Sequence, residues 1–326
     1  MGIRGIEMTE KLKVIYMGTP DFAVPPLKRL IADGYDVRLV VTQPDKARDR
    51  GKKVQATPVK AAALEAGIEV AQPEKVKNNA EFFEEIKEIA PDIIIVAAYG
   101  KILPKYVLDY PKYGCVNAHG SILPKYRGAS PIQRAIIDGE KVTGITAMYM
   151  AEGLDTGDII KIYPCDITPD DDFGSLHDKL ANLAGVAMCD VIDMTENGTI
   201  TRTKQDDEKS SYAAKIEKED TVIDFTKNAE DIVNLVRGLS PAPLAVTRTP
   251  DGKLLKLTHA RLSDMAKTDN AGEVAALSDK GEGEIVLSCG DGCISVTGVV
   301  PEGKKPMKSA DYIRGRRISV GDILKY

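Results

Sequence analysis

The sequence predicts a doubly wound α/β domain with a mostly parallel sheet, followed by a smaller β-rich domain. Apolar strand-like runs at residues 14–17, 37–42 and 92–98 alternate with helix-like segments, which is the β-α-β-α-β order of such a sheet. The third run lacks polar alternation, as expected of a central parallel strand covered on both faces. After residue 254, short strand-like runs separated by Gly or Asp predict an OB-like β-barrel. We therefore expect a Rossmann-like domain and a C-terminal barrel.

The length of the chain suits two domains. It has 326 residues, which is long for one domain. A polar stretch at residues 204–211 separates the two patterns and is typical of a linker. We expect a catalytic domain at residues 1–204, a linker at 205–218 and the barrel at 219–326.

Local signals bound the predicted helices. Asp21 is expected to cap the first helix, with Leu27 and Leu30 at helical spacing before Gly34 ends it. A Thr-Pro pair at residues 57–58 opens the second. Further helices are predicted over residues 74–89, 174–194 and 228–239.

Charge and cysteine content exclude several classes of protein. A formal net charge of −5 argues against indiscriminate coating of nucleic acid, although local basic patches can still bind it. The odd number of scattered cysteines is typical of a reducing compartment. Cys289 and Cys293 form an isolated pair with no second pair nearby, so a turn between strands is favoured over zinc, and no metal is expected. With no signal-like or membrane-spanning run, we expect a cytoplasmic protein without membrane association.

Four unusual segments directly follow predicted strands, and parallel topology brings them to one edge of the sheet. They are residues 18–21, 43–45, 99–100 and 117–119. The first reads GTPD rather than G-x-G-x-x-G, and Pro20 lacks the N–H that a phosphate-binding loop would use. We therefore predict a ligand-binding site at this edge of the sheet, but a dinucleotide is disfavoured as its ligand.

Asn117, His119 and Asp155 are the candidate catalytic residues. Asn117 and His119 lie two positions apart, so an extended segment points them to the same side. Asp155 lies in a predicted turn between two glycines, where turn chemistry is the competing explanation. An acyl group moving onto an amine passes through an oxyanion that needs donors, and the amine needs a proton acceptor. Asn and His supply the donors, and Asp the acceptor.

Two basic segments are candidates for phosphate contacts. Residues 45–53 hold five basic residues against two acidic ones, and residues 303–317 hold six against Asp311 alone, although residues 218–326 are neutral overall. For residues 45–53, a solvated loop and a mobile lid that grips phosphate both stay open. The candidate contacts are Lys46, Arg48, Arg50, Lys52, Lys53, Lys304, Lys305, Lys308, Arg314 and Arg316.

Over almost its full length the chain resembles the folate-dependent formyltransferases, and within them the tRNA-acting branch, the methionyl-tRNA formyltransferases. The longest matching motif is NAHGSILPKYRGASPI at residues 117–132. The other motifs are GTPDFA at 18–23, TQPD at 42–45 with RGKK at 50–53, AYGKILP at 98–104 and GLDTGD at 153–158.

This resemblance implies transfer of a formyl group from 10-formyltetrahydrofolate to the α-amino group of methionine on initiator tRNA, in the initiation of protein synthesis. It implies catalytic roles for Asn117, His119 and Asp155, and tRNA contacts for residues 45–53 and the barrel, with Arg50 as the key arginine. The donor is expected against Ala97, Ala98, Tyr99, Gly100, Ile102, Leu103, Ser121, Leu123 and Pro124.

Two alternatives stay open at this point. The same catalytic residues would serve an enzyme that formylates an amino sugar nucleotide or hydrolyses formylfolate, although the two basic segments favour RNA. A non-catalytic RNA-binding module would have no chemical need for Asn117, His119 and Asp155. We expect a monomer.

Overall fold

The computed structural model describes residues 11–48 and 53–326, and for residues 46–48, 53 and 54 it describes the backbone alone. The chain divides into two compact units. The first consists of Met1–Arg127, Gly144–Cys165 and Asp178–Tyr212, and the second of Gly128–Thr143, Asp166–His177 and Ala213–Tyr326. The chain passes from the first unit to the second for the last time between residues 212 and 213, which lie within the predicted linker at 205–218. The predicted domain bounds stay a prediction.

The strands and helices alternate through the first half of the chain, and strands dominate the second. The strands are β1 (Lys13–Gly18), β2 (Asp36–Val41), β3 (Lys46–Arg48), β4 (Lys53–Gln55), β5 (Val70–Ala71), β6 (Ile93–Ala97), β7 (Cys115–His119), β8 (Arg127–Gly128), β9 (Val142–Tyr149), β10 (Ile159–Asp166), β11 (Tyr212–Ala213), β12 (Ala245–Arg248), β13 (Leu254–Ser263), β14 (Val274–Ser278), β15 (Glu284–Ser288), β16 (Cys293–Pro301) and β17 (Met307–Lys308). The helices are α1 (Val24–Ala32), α2 (Pro58–Glu65), α3 (Ala80–Ile89), α4 (Lys105–Leu108), α5 (Pro131–Ile137), α6 (Phe173–Glu196), α7 (Ala229–Gly238) and α8 (Ser309–Arg314).

The first unit is built on a seven-stranded sheet in the order β10-β9-β7-β6-β1-β2-β5. The pairs β5–β2, β2–β1, β1–β6 and β6–β7 are parallel, and β7–β9 is antiparallel. All five residues of β6 are buried. This confirms the predicted Rossmann-like, mostly parallel sheet with its apolar central strand.

One face of this sheet packs against α3. Phe82 and Ile86 of the helix share a core cluster with Ile15, Met17 and Val96 of the strands. Full burial of a large apolar side chain contributes about 1.5–3 kcal/mol relative to exposure. The repeated apolar strand residues therefore fix the sheet, and the loops at its carboxyl edge have a rigid base.

Two predicted helix starts are wrong, and both errors come from local turn chemistry. Pro20 occupies the cap position of a 3₁₀ turn over Asp21–Ala23, so Asp21 lies inside this turn and Ala23 precedes α1. The third helix begins at Ala80 rather than at residue 74, because Asn79 caps it by accepting from the Phe82 N–H at 3.1 Å. The predicted start of α2 is confirmed, since Thr57 accepts from the Lys60 N–H.

The second unit contains an antiparallel sheet along the path β12-β13-β16-β15-β14, with β17 paired to β16. Its core joins Ile232 and Val236 of α7 to strand residues such as Leu257 and Val296. The turn predicted around residues 289–293 is confirmed, because the Cys289 N–H donates to the Gly292 carbonyl between β15 and β16. The sequence did not predict β12 or β14.

Candidate active site

Strand β7 positions Asn117 and His119 at the carboxyl edge of the sheet. Asn117 pairs with Val96 on the parallel side and with Met148 on the antiparallel side, and His119 lies opposite Thr146. As predicted, alternation along an extended strand puts both side chains on one face. His119 is 5% exposed, and Asn117 is half-buried. Within the described part of the chain the Asn117 amide makes no hydrogen bond, so its N–H groups are free to meet a ligand.

The structure brings Asp155 to His119. The distance from His119 Nδ1 to Asp155 Oδ2 is 3.6 Å, which is within ion-pair range but longer than a hydrogen bond. The other ring nitrogen, Nε2, donates to the Tyr126 carbonyl at 2.9 Å. The imidazole is therefore oriented from both sides by oxygen atoms, as a group that handles protons must be.

The turn that carries Asp155 connects β9 to β10 and depends on close backbone approach. Asp155 has φ 53°, in the left-handed region that Asp tolerates better than most residues. A Cβ on Gly157 would lie 1.8 Å from the Tyr149 carbonyl oxygen, and one on Gly153 would lie 2.4 Å from Thr156 Oγ1. Glycine at both positions therefore lets the turn fold back against the sheet.

The loop after β6 is tied to the loops after β1 and β2. The Tyr99 carbonyl accepts from Thr19 Oγ1 and from Gln43 Nε2, each at 2.9 Å. Ala98 and Gly100 both have positive φ. Ile102 is 82% exposed, which is unusual for a large apolar side chain. The edge predicted from connectivity thus exists, and it presents an apolar residue beside left-handed backbone.

Tyr99 and Ser121, two residues of the predicted donor site, have buried side chains. Tyr99 is buried, its hydroxyl has no hydrogen-bond partner among the residues that the structure describes, and burial raises its pKa to about 12. Ser121 is fully buried, and its hydroxyl donates to the Lys125 carbonyl at 2.7 Å. Leu123 follows on the same loop, where its N–H donates to Thr146 Oγ1 at 3.1 Å and its bond to Pro124 is cis. These contacts give the loop over residues 121–124 a fixed shape.

An open pocket of about 160 Å³ lies beside the loops after β1 and β2. In the loop after β2, the Asp45 carboxylate binds Lys60 Nζ at 2.6 Å and accepts from Gln72 Nε2 at 2.7 Å. Hydrogen bonds from Lys60 and Gln72 hold the pKa of Asp45 below its usual range. Asp45 directly precedes β3, so this network anchors one end of the β3–β4 hairpin. The pocket is lined by Thr19, Gln43, Pro44, Gln55, Ala56, Thr57 and Pro58.

The predicted tRNA contacts lie in two places. Lys46 and Arg48 are in β3 and Lys53 is in β4, an antiparallel hairpin whose side chains at these positions are not described, and Arg50 and Lys52 lie outside the described residues. In the second unit all five candidates are exposed. Two of them have acidic neighbours: Arg314 is 2.5 Å from Asp311, and Lys308 is 3.6 Å from Glu282. The other three are Lys304, Lys305 and Arg316.

Sequence reasoning missed Gln205, which it placed at the start of a linker. The side chain is buried and donates to the backbone carbonyls of Asp155 and Gly157. One glutamine within a polar stretch does not indicate burial in the sequence, because its partners are backbone atoms of a turn that is distant along the chain.

Residues 11–48 and 53–326 contain no group of three or more His, Cys, Asp or Glu side chains that could hold a metal ion. Within the same ranges, every helix is too short or too polar to span a lipid bilayer.

A Rossmann-like sheet that presents an amide, an imidazole and a carboxylate at its carboxyl edge belongs to the class of α/β proteins with the groups that acyl transfer onto an amine requires. The particular family follows from comparison. The chain belongs to the formyl transferase family, since "Formyl transferase" matches residues 10–192 and "Formyl transferase, C-terminal domain" matches residues 215–317.

Individual relatives agree with this membership. The methionyl-tRNA formyltransferase of Caldanaerobacter subterraneus subsp. tengcongensis is 48% identical over 314 residues, which cover 96% of this chain and 100% of the relative. WlaRD, a sugar 3N-formyl transferase crystallised with dTDP and 5-N-formyl-THF, has a TM-score of 0.64 at 20% identity and covers 91% of this chain and 100% of its own. HypX from Aquifex aeolicus in complex with tetrahydrofolic acid has a TM-score of 0.62 at 18% identity, and the match spans 93% of this chain but only 47% of HypX. The last two share the fold.

Proposed function

We propose that this protein transfers the formyl group of 10-formyltetrahydrofolate to the α-amino group of methionyl initiator tRNA, in the initiation of protein synthesis. The observation that carries the proposal is the distance of 3.6 Å between Asp155 Oδ2 and His119 Nδ1. His119 lies on the same strand as Asn117. The near-full-length relative of that name, 48% identical, supports the choice of acceptor.

The three side chains have separate tasks in this reaction. The attacking amine must be unprotonated, and because a free α-amino group has a pKa of about 7.7–8.0, a modest electrostatic push is enough near neutral pH. Asn117 donates to the formyl oxygen as that oxygen takes up negative charge. Asp155 orients His119, and the pair collects the proton that the amine loses as the new carbon–nitrogen bond forms. The pair then returns a proton to the departing nitrogen, so the reaction needs no net proton.

The loop after β6 fits the folate donor. A flat aromatic ring requires an apolar surface and backbone groups that can approach it closely, and exposed Ile102 beside left-handed Ala98 and Gly100 offers both. When bound, the donor supplies an activated formyl group. We assign to its binding Ala97, Ala98, Tyr99, Gly100, Ile102, Leu103, Ser121, Leu123 and Pro124.

We assign tRNA binding to the basic residues of the two segments defined from the sequence, 45–53 and 303–317. Attraction to a phosphate backbone requires exposed cations rather than fixed geometry, and Lys304, Lys305 and Arg316 are exposed. As a translation enzyme the protein acts in the cytoplasm, and we assign it a monomeric state.

The second candidate is formylation of an amino sugar nucleotide, because WlaRD has the same fold. The test supplies the full chain with 10-formyltetrahydrofolate and, in parallel, charged initiator tRNA, charged elongator tRNA, an amino sugar nucleotide or no acceptor. We expect formylmethionine on the initiator tRNA, little on the elongator tRNA and none on the sugar. Product from the sugar alone would favour the second candidate, and formate release without any acceptor would indicate a hydrolase.

A further inference from the structure

We propose that Gln205 is a positioning residue that sets the separation of His119 and Asp155. This inference rests on the proposed function for the task of the pair. Its structural part is independent, since it concerns hydrogen bonds that reach both members of the pair from one segment of chain, residues 205–211.

The first contact is with the Asp155 turn. Gln205 is 6% exposed, and its Nε2 donates to the Asp155 carbonyl and to the Gly157 carbonyl, both at 2.8 Å. A side-chain amide has two N–H groups, so both are used here. The two carbonyls flank Thr156, and fixing them fixes the turn on which Asp155 adopts its left-handed φ of 53°.

Arg127 determines which way the Gln205 amide points. Arg127 Nε and Nη2 donate to Gln205 Oε1 at 3.1 and 2.8 Å. A guanidinium only donates, so the amide oxygen must face it and the NH₂ group must face the turn. Arg127 is itself bound by the Asp207 carboxylate at 2.7 Å, so residues 205–211 supply both the amide and the anchor of the residue that orients it.

The same segment also binds Tyr126, whose carbonyl contacts His119. The Tyr126 carbonyl accepts from His119 Nε2, and the Tyr126 N–H donates to Ser211 Oγ at 2.9 Å. The Arg127 N–H donates to the Ser211 carbonyl at 2.9 Å. The imidazole is therefore tied to this segment through Tyr126, and the carboxylate is tied to it through Gln205. A shift of Gln205 changes the distance between them.

If Gln205 is a positioning residue, Gln205→Glu should keep the fold but lower the turnover. Glutamate has the same shape and still accepts from Arg127, so the fold is kept. Its second oxygen, however, faces the carbonyl oxygens of Asp155 and Gly157 and repels them. Because a misplacement of about 1 Å can cost about 10²-fold in rate, we expect kcat to fall by about 10- to 100-fold.

The experiment compares the full-length wild type with Gln205→Glu, Gln205→Ala and Glu208→Gln. Glu208 is an exposed residue of the same segment, and its side chain makes no hydrogen bond among the described residues. The readouts are kcat, KM for tRNA and for the folate, the thermal midpoint, and the ring NMR signals of the three histidines. In the Gln205 variants we expect lower kcat with little change in KM, and moved His119 signals with unmoved His177 and His259 signals. Glu208→Gln should match the wild type.

Wild-type kcat and unmoved His119 signals in folded Gln205 variants would overturn the proposal. If the variants do not fold, hydrogen exchange on the wild type decides instead: both Gln205 side-chain N–H protons should be protected, and rapid exchange of these protons would contradict the assignment. If the wild type fails to formylate methionyl-tRNA, the proposed function is wrong, yet the NMR and exchange results still test the positioning.

Discussion

The His119–Asp155 pair and the basic residues near the C-terminus are held in opposite ways. His119 is buried, and each of its ring nitrogens faces an oxygen atom. Lys304 and Lys305 are exposed, and their side chains have no hydrogen bond or ion pair among the described residues. Chemistry at one carbon atom requires fixed positions. Attraction to phosphate acts over a Debye length of about 8–10 Å and tolerates side-chain motion. The contrast indicates that substitutions in the first region should change turnover, and those in the second should change binding.

The largest effect is expected at Asn117. In Asn117→Ala the donors for the oxyanion are lost, and kcat should fall by about 10²–10³-fold, as for other oxyanion donors. The thermal midpoint should change little, because the Asn117 side chain is half-buried and makes no hydrogen bond within the described part of the chain. Steady-state kinetics with charged initiator tRNA, together with thermal unfolding, measures both quantities.

Asn117→Asp is the matched control for shape. The carboxylate has nearly the same volume as the amide but donates nothing and repels a developing negative charge, so this variant should lose at least as much turnover as Asn117→Ala. Near-normal turnover in Asn117→Asp would contradict the oxyanion role, because a purely steric role would survive the change.

The sheet and the turn that carries Asp155 could be predicted from the sequence for physical reasons, whereas the approach of Asp155 to His119 could not. Parallel strands covered on both faces read as unbroken apolar runs, and β6 is such a run. Once the strands are known, their parallel direction brings the loops after them to one edge, which places Tyr99 and His119 there. Glycines around Asp155 indicated a turn of close approach, and Gly157 meets the Tyr149 carbonyl in that way.

The rest of the site could not be predicted, because it depends on backbone atoms. The partner of His119 Nε2 is the Tyr126 carbonyl, and the partners of Gln205 Nε2 are the carbonyls of Asp155 and Gly157. Every residue has a carbonyl, so residue types carry no signal for such bonds. The start of α3 was misplaced for a related reason: residues 74–79 contain good helix formers, but the Asn79 side chain caps the helix only at Ala80.

A smaller effect, on binding, is expected for the exposed cations. Lys304→Ala with Lys305→Ala should raise KM for tRNA by about fivefold and should lower the slope of log KM against log salt by about 2, roughly 1 for each lysine, while kcat stays unchanged. The control is Lys227→Ala, at an exposed lysine outside residues 303–317. Arg314→Ala should have less effect than the double variant, because Asp311 already neutralises Arg314. A fall in kcat at constant KM and salt slope would remove the distinction between the two regions.

The smallest effect is expected at Asp45, whose side chain is less buried than His119 and less exposed than Lys304 and Lys305. Its ion pair with Lys60 is partly exposed, and Asp45→Asn should lower the free energy of unfolding at neutral pH by less than about 1 kcal/mol. Hydrogen bonds from Lys60 and Gln72 lower the pKa of Asp45 in the folded protein. The contribution is therefore present above the unfolded pKa of about 3.9 and is lost as the pH falls through the lower folded value.

Denaturant unfolding of the wild type and Asp45→Asn at neutral pH and in acid measures this difference, with Asp269→Asn as a control at an exposed aspartate. The stability difference should shrink as the pH falls below about 4, whereas Asp269→Asn should show no difference at either pH. A difference that grows in acid would mean that Lys60 and Gln72 do not stabilise the carboxylate form.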